Sequence, residues 1–532
     1  MMTAINTPQF KFVVVGGGTA GWLAALYMRA YFPSSTITVI ENRDLGILGA
    51  GEGTTPHFFA ALKFLNINIS EFVRETQATV KNGILFRDWH GDGTHYFHPF
   101  AVVPDHAYME FFHADKTLTN RDVNALVAEQ LAHGQTLDAI CFSAQCSAQH
   151  RVVYAPGAVK QDAPLTHFRS LGSVGWHFNA NLVAAYFKRL ATTQRQITCL
   201  DALVTGVATN DRGDLTALHL DQSPSLPCDF VFDCTGFRRV LIGQHFQSPW
   251  TSYAAQLPVT RALPFFLPET AEIPPYTESR AMRYGWLWKI PVQGRYGCGY
   301  VFDGRRLTDD AALREVETRL NRPIESPRTF AFEPGSFDRS WQRNCLALGL
   351  SSGFLEPLEA TSLMVTVLSL QHFFQHLTGV LFDDEPARTA YHTTVASMNR
   401  QIRDFLYFHY RTTRTDTPFW AHFAEDQVCP EDYRDRLAQI RHVQGIGVVT
   451  KYLPTTIFSA ASYLAVGAGV RWFDRDAASR RFAALTHGVY ARSYAQSRQH
   501  YRRQLALTIP TTITHRDFLN YLMDSNHPMP QL

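Results

Sequence analysis

The chain has 532 residues, enough for two to four ordinary domains or one large enzyme with insertions, and too long for a small disulfide-stapled module. Lys and Arg total 49 against 47 Asp and Glu, so the formal charge of +2 sets up no field that would draw in nucleic acid or an anionic membrane. Apolar residues make up 45% and charged ones 18%, which excludes extensive disorder, and a 13% aromatic content points to clefts lined by rings.

From Met1 to Gln9 there is no basic, apolar and cleavage region of a secretory signal, so the expected location is the cytoplasm. Lys11–Val15 is a short β-branched run that stops at Gly16. A helical pattern through Trp22, Leu23, Leu26 and Tyr27 follows, and then a second strand at Thr36–Ile40. Strand, turn, helix and strand in this order make a βαβ unit with a parallel pair. The turn, Gly16 to Gly21, reads G-x-G-x-x-G. Its glycines let the backbone approach a pyrophosphate at a helix N-terminus, and Glu41 can accept from a ribose hydroxyl.

Asn179 is placed to cap a helix whose Leu182, Val183, Tyr186, Phe187 and Leu190 share a face. Alternating stretches at Val204–Ala208 and Leu215–Leu220 flank Asn210–Asp214, which is hairpin chemistry. Phe230–Phe232 is a further buried strand, running into Asp233-Cys234-Thr235-Gly236. A βαβ unit, a later hairpin and a returning strand ending in Asp-x-x-Gly suit an α/β FAD-binding fold better than a simple NAD domain. Ser362–Phe382 is broken by Gln371, His372, Gln375 and His376 and reads as a core helix, not a membrane span. From about Leu363 the chain is mostly helical. The expected organisation is a discontinuous FAD module over 1–380, interrupted by substrate-region insertions around 90–170 and 250–335, with a helical substrate-binding cap over 381–532. The eight Cys show no Cys-x-x-Cys pair and no zinc spacing, so they are read as buried reduced thiols, and no metal site is expected.

Several segments are more specific than the fingerprint. They are Gly16–Trp22, Gly49–Pro56, Gln77–Ile84, the W-x-W-x-I-P within Gly285–Pro291, Ser352–Thr361, Phe408–Tyr410 and Asp416–Trp420. Together they resemble the flavin-dependent halogenases of the tryptophan halogenase type, over most of the chain to about residue 420. That resemblance implies a glutathione-reductase-like, flavin monooxygenase type of FAD fold. It also implies electrophilic halogenation of an electron-rich aromatic such as an indole. In the resembled mechanism reduced FAD and O2 give a flavin hydroperoxide, halide takes its distal oxygen, and hypohalous acid reaches a lysine.

The resemblance assigns that lysine to Lys81 and the catalytic carboxylate to Glu359, with Glu356 competing for the role. Flavin contacts fall on Gly16, Gly18, Thr19, Ala20, Gly21, Glu41, Gly51, Glu52, Asp233, Gly236 and Leu350. Thr361 and Ser362 would hold halide through backbone N–H groups. His98 and Phe100 would sandwich the substrate, with Phe458 beside them, while Trp286, Trp288, Ile290 and Pro291 wall it off from the flavin. His409 and Asp416 are read as helix caps and braces. The chain departs from the family pattern at Ala360 and Ser362, where Ser and Gly are usual. The first change removes a hydroxyl near Lys81, and the second restricts the halide-binding backbone. The C-terminal region lacks a counterpart of the residues that clamp the amino acid backbone, which counts against free tryptophan as substrate.

The implied partners are FADH2 from a separate reductase, O2, chloride or bromide, and a small aromatic, with bromide favoured because it is easier to oxidise. Neither nucleic acid nor membrane is expected, and a homodimer is allowed. Two alternatives stay open: an aromatic hydroxylase sharing the FAD module, and a flavin-binding regulator without catalysis.

Overall fold

The apolar run Lys11–Val15 forms a strand with parallel neighbours on both sides, Thr36–Glu41 and Phe230–Asp233. The computed structural model describes residues 9–46, 52–100, 118–156, 168–325, 327–376, 385–425, 428–442, 445–454 and 457–524, so Gly51 lies outside the described residues. Thr198–Asp201 and Cys345–Ala347 extend the sheet in parallel, and Trp341–Gln342 closes it antiparallel. Alternation sorts the side chains: Phe12, Val14, Val39, Phe230 and Phe232 enter the main core, while Val13, Val15, Ile40 and Val231 meet the Val204–Leu220 hairpin on the other face. Helix Thr19–Tyr31 makes the crossover, and Ala180–Gln194, capped by Asn179 as expected, packs against it.

A second sheet, of seven strands among the described residues, is antiparallel except where Tyr276–Ala281 runs parallel to Gly83–Arg87. Strand Gly285–Val292 lies inside it and is buried on both faces. Trp286, Trp288, Ile290 and Val292 join the main core, while Leu287 joins a separate cluster under helix Asp309–Leu320. A small antiparallel sheet of Glu52–Gly53, Gly175–Phe178 and Thr79–Lys81 bridges the two systems.

Beyond Thr361 the described chain is helical, and it interlocks with what precedes it. The backbone N–H of Val80 donates to His515 Nε2 at 2.9 Å, and the other ring nitrogen lies 3.0 Å from the Ile273 carbonyl. All eight cysteines carry free thiols. No helix among the described residues is long and apolar enough to cross a membrane.

Candidate functional site

The flavin-type loops converge at the C-terminal ends of the parallel strands. A Cβ on Gly16, whose φ is +119°, would stand 2.1 Å from the Cys234 carbonyl oxygen, so the turn lies directly on the loop after Phe230–Asp233. A Cβ on Gly349 would meet Ala20 at 2.8 Å, and the Ser351 hydroxyl donates to the Gly236 carbonyl at 3.2 Å. Thus the segments carrying Gly16–Gly21, Gly236 and Leu350 form one cradle. Helix Thr19–Tyr31 has no side-chain cap at Gly18, and a Cβ built on Gly18 meets no atom within 4 Å. The buried Thr19 hydroxyl has no hydrogen-bond partner among the described residues. Open space, uncapped amides and an orphaned hydroxyl fit a dinucleotide pyrophosphate.

Glu41 leans over Gly17 and pairs with Lys188, and Glu52 is pushed up to about 7 by burial. The Asp233 carboxylate accepts from the Thr235 N–H and hydroxyl and from the Leu241 and Ile242 N–H groups at 2.6–3.1 Å, so its side chain shapes the loop that carries Gly236.

Lys81 ends strand Thr79–Lys81 and is fully buried. Glycines make its room. Its cross-strand partner is Gly175, and a Cβ on Gly53 would come within 3.2 Å of Nζ, 3.5 Å of the Ala360 Cβ and 3.5 Å of the Thr277 hydroxyl. Nζ lies 5.0 Å from the Phe100 ring centroid and has no hydrogen-bond partner among the described residues. Burial pulls its pKa down to about 7, against the nearby negative charge of Glu359.

A hydrogen-bond chain that the sequence reading did not foresee runs beside it. The Thr79 hydroxyl donates to the Pro291 carbonyl at 2.7 Å, so His177 Nδ1, 3.1 Å away, must donate to Thr79. His177 Nε2 then accepts from Thr277 at 2.9 Å. Burial, followed by the charge of Lys81, keeps His177 well below the usual histidine range, consistent with a neutral ring. The chain ties the lysine strand to the W-x-W-x-I-P strand.

Between Gly353–Phe354 and helix Thr361–His376 the two glutamates part company. Glu359 faces His98 Nδ1 at 2.9 and 3.0 Å from its two oxygens, and His409 Nε2 at 2.9 Å from Oε1. Burial opposes its ionisation, yet the two imidazoles outweigh burial and hold it down at about 2. Glu356 instead accepts from the Tyr410 hydroxyl at 2.7 Å, and burial pushes it up to about 8. At neutral pH one is a carboxylate and the other a neutral acid. His409 is thus part of the site, not a helix brace, and its Nδ1 stands 2.9 Å from the Tyr96 hydroxyl. Asp416 pairs with Arg414, as a brace would. The donors of His98, Glu359 and His409 lie within 4.8 Å of one another, a spacing a metal could use, but here they meet each other directly.

Thr361 and Ser362 open the helix, where the first backbone N–H groups lack helical partners and the dipole favours an anion. The unusual backbone is at Ala360, with φ +55°, and Ser362 is helical, so its side chain does not impose the expected restriction. Trp286 and Trp288 stand 6.2 Å apart, and the Trp288 indole lies over Gly299, where a Cβ would come within 2.1 Å of the ring. His98 sits by Glu359 and Phe100 by Lys81, so each ring stands beside one of the two candidate catalytic groups. Phe458 stacks on Phe405 at 3.8 Å, and Phe405 lies 5.4 Å from His98.

Residues 11–484 match the family model for tryptophan halogenase. The tryptophan 7-halogenase KtzQ of Kutzneria sp. is 32% identical over 471 residues, covering 84% of this chain and 83% of its own. BrvH, a flavin-dependent halogenase from Brevundimonas sp., superposes with a TM-score of 0.78 at 27% identity, over 97% of this chain and 100% of that one. A tryptophan halogenase structure from Shewanella frigidimarina shares the fold, with a TM-score of 0.82 at 24% identity over 98% and 99% of the two chains.

Proposed function

The chain belongs to the tryptophan halogenase family of flavin-dependent halogenases, which are oxidoreductases, and from that premise we propose that it halogenates an indole-type ring through Lys81. The observation that carries the reading is the buried Lys81 amine, without a hydrogen-bond partner, close to the charge of Glu359. Reduced FAD with O2 supplies the oxidant that turns halide into hypohalous acid. The Gly16–Gly21 turn and the loops of Gly236 and Leu350 would hold the cofactor, with Glu41 and Glu52 alongside. The N-terminus of helix Thr361–His376 would hold halide.

The protein's own work is to separate and to orient. Trp286, Trp288 and Ile290 exclude bulk water and keep the aromatic substrate from the cofactor side, which disfavours direct oxygenation. Above about pH 7 Lys81 is mostly a neutral amine; it would attack hypohalous acid at the halogen, forming the N–halogen bond as the O–halogen bond breaks and water leaves, and so hold the halogen against the ring carbon. The carboxylate of Glu359 stabilises the positive charge that develops on the ring. Bromide is the preferred halide, because it is oxidised more easily than chloride. The substrate is a ring without the amino acid backbone, and a separate reductase delivers the reduced flavin.

The test is mass spectrometry of product from purified protein, FAD, NADH, a flavin reductase, both halides and a panel of indoles, phenols and tryptophan. Catalase and Lys81→Ala controls belong in the same run. A halogen isotope doublet that survives catalase and vanishes in the variant is the expected result. Oxygenated product without halogen would overturn the reading.

A further inference from the structure

Electrophilic substitution leaves a proton on the halogenated ring carbon, and something must remove it. Glu359 is badly placed for this task. One of its oxygens faces both His98 Nδ1 and His409 Nε2, and the other also faces His98, so both are already turned to the imidazoles. A carboxylate can only accept, so His98 carries its proton at Nδ1, and the neutral ring has its lone pair at Nε2.

That nitrogen is buried, on a residue 3% exposed, and has no hydrogen-bond partner among the described residues. His409 Nε2 stands 2.9 Å from Glu359 Oε1, outside hydrogen-bond geometry, and its Nδ1 meets the Tyr96 hydroxyl. Of the two rings around Glu359, His98 is the one hydrogen-bonded to the carboxylate, and its far nitrogen is left as an acceptor. Glu359 lies close enough to Lys81 for its charge to act on the amine, so the ring it holds belongs to the same site.

We propose that His98 Nε2 is the base that takes the ring proton, and that Glu359 is the group that fixes its tautomer and orientation. The C–H bond at the halogenated carbon breaks, its electron pair restores the aromatic sextet, and the proton goes to Nε2. The Glu359 charge then balances the imidazolium, the same division of labour as in a nucleophile–His–Asp triad. The proposal rests on the halogenase reading, and it gives His98 an acid–base role where the resemblance implies stacking alone.

The experiment compares wild type, His98→Phe and His98→Gln with protio and ring-deuterated indole, FADH2 from a reductase, and bromide. FAD binding serves as the check on folding. His98→Phe keeps an aromatic face for stacking but has no base. It is expected to lower kcat by about 10²- to 10⁴-fold and to raise the deuterium isotope effect above the wild-type value, with added imidazole restoring part of the rate. His98→Gln should show the same rise in isotope effect. If either folded variant keeps the wild-type isotope effect, or loses only KM, the assignment falls and His98 is a stacking residue. A wild type that gives no halogenated indole overturns the halogenase reading, and this proposal with it.

Discussion

His98 and Glu359 stand 261 residues apart in the chain and 2.9 Å apart in the fold. This contact separates two glutamates that sit three positions apart on one short segment. Glu359 stays ionised on its imidazoles, and Glu356 stays protonated on Tyr410.

Glu359→Gln is expected to lower kcat by about 10²- to 10⁴-fold, whereas Glu356→Gln keeps the neutral shape and stays within about tenfold of wild type. Steady-state rates of both variants with one indole check this. Equal losses would show that the two carboxyls act as one unit.

Glu356 also predicts a stability trend. Its folded pKa of about 8 lies above the ordinary value of 4.5, so between these pH values the folded state holds a proton that the unfolded chain has released. Stability falls as pH rises through that window. Glu356→Gln removes the dependence, and its melting temperature should gain on wild type between pH 5 and pH 8, followed by calorimetry. A constant difference across the window would contradict the buried neutral acid.

Lys81 titrates near pH 7 where an ordinary lysine titrates at 10.5. If the neutral amine receives the halogen, kcat rises with pH to a plateau with a midpoint near 7, and Lys81→Arg, always charged, is inactive throughout. A profile falling through the same midpoint would assign the ammonium form instead.

In the flavin cradle two glycines should behave differently. Gly16→Ala forces a Cβ onto the Cys234 carbonyl at a φ of +119°, and should cost about 3 kcal/mol of stability. Gly18→Ala meets no protein atom within 4 Å, so the melting temperature should hold while FAD affinity drops by about tenfold. Thermal melts with FAD titration separate the two, and unchanged affinity in Gly18→Ala would place the pyrophosphate elsewhere.

The sequence by itself determined the elements whose causes are local. A β-branched run stopped by glycine, a helix opening after Gly18 and the alternation of Trp286, Trp288 and Ile290 each need only a few neighbouring residues, and each stands where the pattern put it. Lys81 was nominated by its flanking motif, but a motif carries no burial. Gly53, from another strand, leaves the room beside its amine, and burial there shifts it.

The tertiary structure alone decided protonation and partnership. Nothing local distinguishes Glu356 from Glu359, or marks His409 as more than a helix residue, because each depends on rings brought from distant segments into a buried space. The His177 chain was invisible for the same reason. Thr79, His177, Thr277 and Pro291 come from four separate strands, and only their packing fixes which atom donates. Short-range propensity writes the elements, and desolvation across long-range contacts sets the charges on which the chemistry depends.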